Sequence, residues 1–237
     1  MSRIVTKSSG HPSASYSSLE RVLRLFSDVR AGEGRIVALL FANVLLLLCA
    51  YYFMKPLREG WLAVSGIDGI SKMELKAYSS FGQALLLIGV VSVYSRFVGR
   101  LPRQVLIARA SGLCMLITAM FWSVQPDFLI DNLPYSGIVF YLWIGIFGVF
   151  VIAQFWAFAA DLFSDERGRR LLPVIAIGAT SGAVVGSWIA TQTVTLGILG
   201  AEYLLLASLV PMALSIWLTH LAHKSETRKS DQAEAVV

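Results

Sequence analysis

Lys55 and Arg58 stand three residues apart at the end of an apolar stretch, a spacing that puts both cations on one face of a helix. Two cations so placed suit a phosphate or a carboxylate through charge-assisted hydrogen bonds. Pro56 lies between them, where it can kink the helix. A plainer reading stands beside this one. Lysine and arginine near helix ends snorkel to the interface, and tyrosines such as Tyr51 and Tyr52 populate interfacial belts.

A second group of residues bears on contact between helices. Gly178, Gly182 and Gly186 repeat every four residues and stack into one groove along a helix. Such a groove lets another helix approach closely, either a neighbour in the chain or a helix of a second unit. Asn43, Gln83 and Gln154 are isolated polar groups in apolar runs, suited to bonding between helices. A third group is charged. Asp161, Asp165, Glu166, Arg167, Arg169 and Arg170 crowd one connection, and Arg96, Arg100 and Arg103 crowd an earlier one. Each pairs Gly with Arg ahead of a helix, a faint echo three spans apart, as an internal three-plus-three repeat places it.

Catalytic signatures are absent: there is no GxSxG, no HExxH and no GxxxxGK phosphate loop. His11, His220 and His223 lie in or beside polar ends, and Cys49 and Cys114 have no metal spacing. The expectation is a non-enzyme without metal or cofactor.

The elements that position these residues are membrane spans. Charged residues make up 15% of the chain and hydrophobic ones 56%, against about 25% charged in soluble domains. Residues 36–54, 77–95, 110–126, 132–160, 171–201 and 203–219 contain no Asp, Glu, Lys or Arg. A helix crosses the hydrocarbon core with about 20 mainly apolar residues. The run from Leu39 to Ala50 does not alternate as a barrel strand does. The expected fold is therefore all-α and polytopic, with helices at about 36–57, 77–96, 104–125, 136–161, 171–195 and 203–222. Residues 17–31 read as a basic amphipathic helix on the membrane surface, opened by Ser17 and Glu20 at capping-box spacing. Residues 1–16 and 224–237 read as disordered tails flanking a six-helix domain over 36–223.

Lysine and arginine give the orientation. Sixteen fall on the side holding both termini and four on the other, at Lys55, Arg58, Lys72 and Lys76. By the positive-inside rule both ends are expected in the cytoplasm. The net charge of +5 is then a topology signal, and no nucleic-acid partner is needed to explain it. No cleavable signal peptide is read, since a long polar segment precedes the first apolar run.

Three segments carry a family resemblance: residues 50–59 (AYYFMKPLRE), 95–106 (SRFVGRLPRQVL) and 154–187 (QFWAFAADLFSDERGRRLLPVIAIGATSGAVVGS). Together they resemble the amino-terminal half of the ATP/ADP translocase-like transporters, a group related to the major facilitator superfamily. The resemblance implies a twelve-helix fold in two halves, substrate at the interface between them, and alternating access. It implies that Lys55 and Arg58 meet phosphates, and that Arg96 and Arg100 match a cytoplasmic gating motif whose usual Asp is missing here. It also implies that the glycine face turns toward a second six-helix unit, in a homodimer or from another chain. ATP, ADP or another anionic solute is the implied cargo, and an inner or plasma membrane the implied location. A non-transporting scaffold, or a transporter remnant, is the alternative.

Overall fold

The computed structural model describes residues 21, 24, 28–30, 32–65, 67, 69–98, 100, 103–124, 132–133, 135–198, 200–201 and 203–234. Among them the chain is all-α. Six helices are each long and apolar enough to cross a membrane: α1 (Gly34–Val64), α2 (Lys72–Val98), α3 (Arg103–Ser123), α4 (Ser136–Asp161), α5 (Asp165–Thr195) and α6 (Tyr203–Glu234). This is the architecture of a multi-pass membrane protein.

Helix bounds depart from the apolar runs where polar residues have partners. α1 runs through Lys55, Pro56 and Arg58 to Val64, seven residues beyond the expected 57. Proline is tolerated in a membrane helix where neighbours satisfy the freed backbone group. α2 starts at Lys72, not 77, because Ser71 and Glu74 form a capping box. The Ser71 N–H donates to Glu74 Oε2 at 2.9 Å, and the Glu74 N–H to Ser71 Oγ at 3.3 Å. α5 starts at Asp165, not 171, and carries Asp165 and Glu166 in its first turn, where the helix dipole favours negative charge.

One expectation needs correction, and another falls mostly outside the described residues. The expected tail from residue 224 is helical as far as Glu234, as a continuation of α6. Arg167 helps to hold it there, donating to Glu226 Oε1 at 2.7 Å. Of the expected surface helix over 17–31, only Arg21, Arg24 and residues 28–30 are described; Arg21 is helical and 28–30 are not. Val29 is instead fully buried. The 1–16 segment lies outside the described residues.

α1 is the hub. It packs most extensively on α5 and α6, and then on α4, while α3 packs on α6 and α2 on α4. The most apolar stretch of α1 is 56% buried, whereas that of α2 is 6% buried. α2 is thus the peripheral helix.

The hub is made by glycine. A Cβ on Gly178, Gly182 or Gly186 would meet the backbone of Phe41, Leu45 or Cys49 in turn. The three glycines of α5 therefore take α1 along its length, and this is the neighbour-in-chain reading. The expectation that this face turns toward a second unit is overturned, because α1 already covers it. Polar bonds lock α1 to α6 as well. Asn43 Nδ2 donates to Thr219 Oγ1 at 2.8 Å, and Ser215 Oγ donates to Asn43 Oδ1 at 2.5 Å. All three residues are buried, so the bonds form out of water.

Candidate functional site

The far end of α1 carries the cation pair, and the structure separates its two members. Arg58 is built into a bridge among three helices. Its Nη2 donates to Glu59 Oε1 at 2.7 Å, and Lys76 Nζ of α2 reaches Glu59 Oε2 at 2.7 Å. The guanidinium lies 4.4 Å from the centroid of the Tyr141 ring on α4. Tyr141 Oη in turn is 2.9 Å from Ser80 Oγ of α2. Arg58 thus spends its charge on Glu59 and on an aromatic face, and its side chain is only 12% exposed.

Lys55 is left apart from this bridge. Its Nζ lies 4.8 Å from the ring centroid of Tyr52, and among the described residues no carboxylate pairs with it. It is half-buried. Nine residues of α1 follow it, so it sits about 14 Å from that helix end at 1.5 Å per residue. Counted from Gly34, Lys55 stands about 32 Å along α1, close to the thickness of a hydrocarbon core of about 30 Å, so both the interfacial reading and the anion-contact reading fit its position. Chemically it offers a cationic donor beside an aromatic ring.

The opposite end of the bundle holds a second cluster. Glu33, just ahead of α1, accepts from the backbone N–H of Arg30 at 3.0 Å. It also accepts from Arg167 Nε at 3.2 Å and Arg170 Nη2 at 3.2 Å. Arg170 Nη1 further donates to the Asp28 carbonyl, Arg167 reaches Glu226 of α6, and Arg30 pairs with Glu166 at 2.7 Å. The starts of α1 and α5 and the end of α6 are thus clamped together. Burial raises the pKa of Glu33. The Arg30 N–H and the Arg170 and Arg167 guanidiniums outweigh this and hold it below the ordinary value of 4.5.

Of the other charged candidates, Arg170 belongs to this clamp. Asp161 and Arg169 are exposed at the adjoining turn. Arg96 and Arg100 are exposed and make no ion pair among the described residues. Arg103 opens α3, and its side chain lies outside the described residues. The two arginine-rich connections are therefore unlike: one is tied to α1 and α6, whereas Arg96 and Arg100 of the other make no such tie among the described residues. Sequence reasoning missed Glu33 and Glu226. Their partners lie 134 and 59 residues away, and no local spacing marks such pairs.

Comparison of the chain with family models, characterised proteins and solved structures gives no match.

Proposed function

We propose that this chain is one six-helix half of a secondary transporter for an anionic solute, with nucleotides the first candidates. The observation that carries this reading is Lys55. Lys55 is half-buried on the hub helix and pairs with no carboxylate among the described residues. It stands about 32 Å from Gly34, at the edge of a core of about 30 Å, where a cation is free to meet an anion.

The helix neighbours support the transporter fold. Exchanging α1 with α4, α2 with α5 and α3 with α6 turns the α1–α5 pair into α4–α2 and the α1–α6 pair into α4–α3. It returns α1–α4 and α3–α6 to themselves, and all of these pairs are in contact, whereas the slight α2–α3 and α4–α5 contacts are weaker still in their counterparts α5–α6 and α1–α2. A three-plus-three repeat produces that relation. Alternating access needs a second wall, supplied by a second six-helix unit. The face of α2 with Phe81, Leu85 and Ile88 and the face of α5 with Val184 and Trp188 are exposed and available to it. The positive-inside count supports cytoplasmic ends, and the resemblance to the translocase-like transporters supports an inner or plasma membrane.

The test is exchange of labelled ATP, ADP and inorganic phosphate in proteoliposomes, with Lys55→Ala and Lys55→Arg as variants. Loss of exchange in Lys55→Ala with retention in Lys55→Arg supports the reading. Equal exchange in wild type and Lys55→Ala removes Lys55 from the site.

A scaffold or remnant that has lost transport is the second reading, favoured by the Arg58–Glu59–Lys76 bridge, which holds helices together and leaves Arg58 little charge for a ligand. A transporter gains thermal stability from its substrate by mass action, whereas a scaffold does not.

A further inference from the structure

Where α5 and α6 close tightly on α1, their repeat counterparts α2 and α3 pack more loosely on α4 and leave a groove of about 690 Å³. Its walls are apolar: Gly89 and Val93 of α2, Leu113 of α3, and Trp143 and Phe150 of α4. One charged residue lines it. This is Arg109, which is exposed and makes no ion pair or hydrogen bond among the described residues. Arg58, also within a span, has Glu59. Arg109 has no such partner.

The groove has one basic end and one apolar end. Arg109 lies six residues into α3 and Leu113 ten, so they stand about 9 Å and about 15 Å along the axis from the Arg103 end. The second distance is half of a hydrocarbon core of about 30 Å. Tyr94, four residues from the end of α2, also lines the basic end. Arg96 and Arg100 are exposed beyond it. Leu106 lines the groove about 5 Å from the same end, so the groove reaches from about 5 Å to about 15 Å along α3, the depth of one leaflet. Arg109 is close enough to its outer end to snorkel toward the headgroups. The groove opens beside α2, the least buried helix of the bundle.

We infer that this groove holds one anionic phospholipid of the cytoplasmic leaflet, with an acyl chain against Gly89, Leu113 and Phe150 and its phosphate on Arg109. The occupant follows from charge and shape together. A soluble anion would find no polar wall below Arg109, and a zwitterionic lipid would bring a cation to an end already rich in arginine. Basic pockets between membrane helices on the cytoplasmic side select anionic headgroups in this way. The inference is independent of whether the chain transports anything.

The experiment uses the full chain in detergent, with phosphatidylglycerol and phosphatidylcholine of identical acyl chains titrated in separate series. Thermal unfolding and native mass spectrometry are the readouts. Expected is a saturable rise in the unfolding midpoint with phosphatidylglycerol, one lipid retained per chain, and at least tenfold weaker apparent affinity for phosphatidylcholine. Arg109→Ala should erase that preference and Arg109→Lys should keep it. Gly89→Trp fills the groove, since nothing lies within 4 Å of a Cβ there, and should abolish retention of the lipid with Arg109 still present. Equal affinity for the two lipids overturns the inference, as does a preference that survives Arg109→Ala. Displacement of the lipid by inorganic phosphate or ATP at equal concentration overturns the lipid as occupant. If Arg109→Ala does not fold, the wild type and Gly89→Trp decide by retention alone.

Discussion

The backbone carbonyl of Leu45 occupies the space that a Cβ on Gly182 would need. A helix carbonyl is not the far end of a flexible side chain and cannot swing aside. Gly182→Ala must therefore push α1 and α5 apart. The expected loss is about 1–3 kcal/mol, read as a lower thermal unfolding midpoint in detergent. Gly112→Ala, where a Cβ meets nothing within 4 Å, should leave the midpoint unchanged or raise it.

Removing Arg170 strands Glu33, whose side chain is only 12% exposed. The expected cost of Arg170→Ala is about 1–3 kcal/mol near neutral pH, from a half-satisfied carboxylate. The exposed pair Arg30–Glu166 gives a contrast, since Glu166→Ala should cost less than about 1 kcal/mol.

The clamp should also loosen in acid. The folded-state pKa of Glu33 is depressed, so its contribution is fully present above the ordinary value of 4.5 and is lost as pH falls through the lower folded value. Glu33→Gln should be less stable than wild type near pH 7, and the gap should narrow as pH falls below about 4.5. Parallel unfolding curves at pH 7, 5 and 4 check the sign. A gap that widens in acid contradicts it.

Asn43 and Thr219 join α1 to α6 across 176 residues of sequence. Hydrogen bonds between membrane helices couple by about 0.6 kcal/mol on average and by at most about 1.7. A double-mutant cycle of Asn43→Ala and Thr219→Val should fall in that range. Coupling of zero would show that the bond is absent in the bilayer.

Arg58→Ala and Lys55→Ala should behave differently, although three residues separate them. Arg58→Ala frees Glu59 and uncovers the Tyr141 ring, so it should lower the unfolding midpoint without any ligand. Lys55→Ala breaks no ion pair among the described residues, so the ligand-free midpoint should hold and only the response to added anion should change.

The six helices were legible because long charge-free runs leave the backbone no partner in lipid except itself. Their ends were less so. Polar residues such as Glu59, Arg167 and Glu226 hold the extended ends of α1, α5 and α6 through partners on other helices, and distance along the chain hides those partners. The glycine repeat of α5 was visible as a groove, but a repeat does not name what fills it. Filling it with α1 required the chain to be folded. The different surroundings of Lys55 and Arg58 were hidden for a related reason. Helical spacing sets which residues share a face, whereas Glu59, Lys76 and Tyr141 decide which of them keeps its charge free.

The central place of α1 also orders the assembly of the protein. α1 precedes α5 and α6 in the chain, yet the glycines and hydroxyls that bury its polar and close-packed faces belong to those two helices. Until they arrive, Asn43 must wait in lipid or against an insertion factor without its native partners. The first span made is thus the last to be completed, and a ribosome stalled before α6 would leave every earlier helix in the membrane around an unfinished hub.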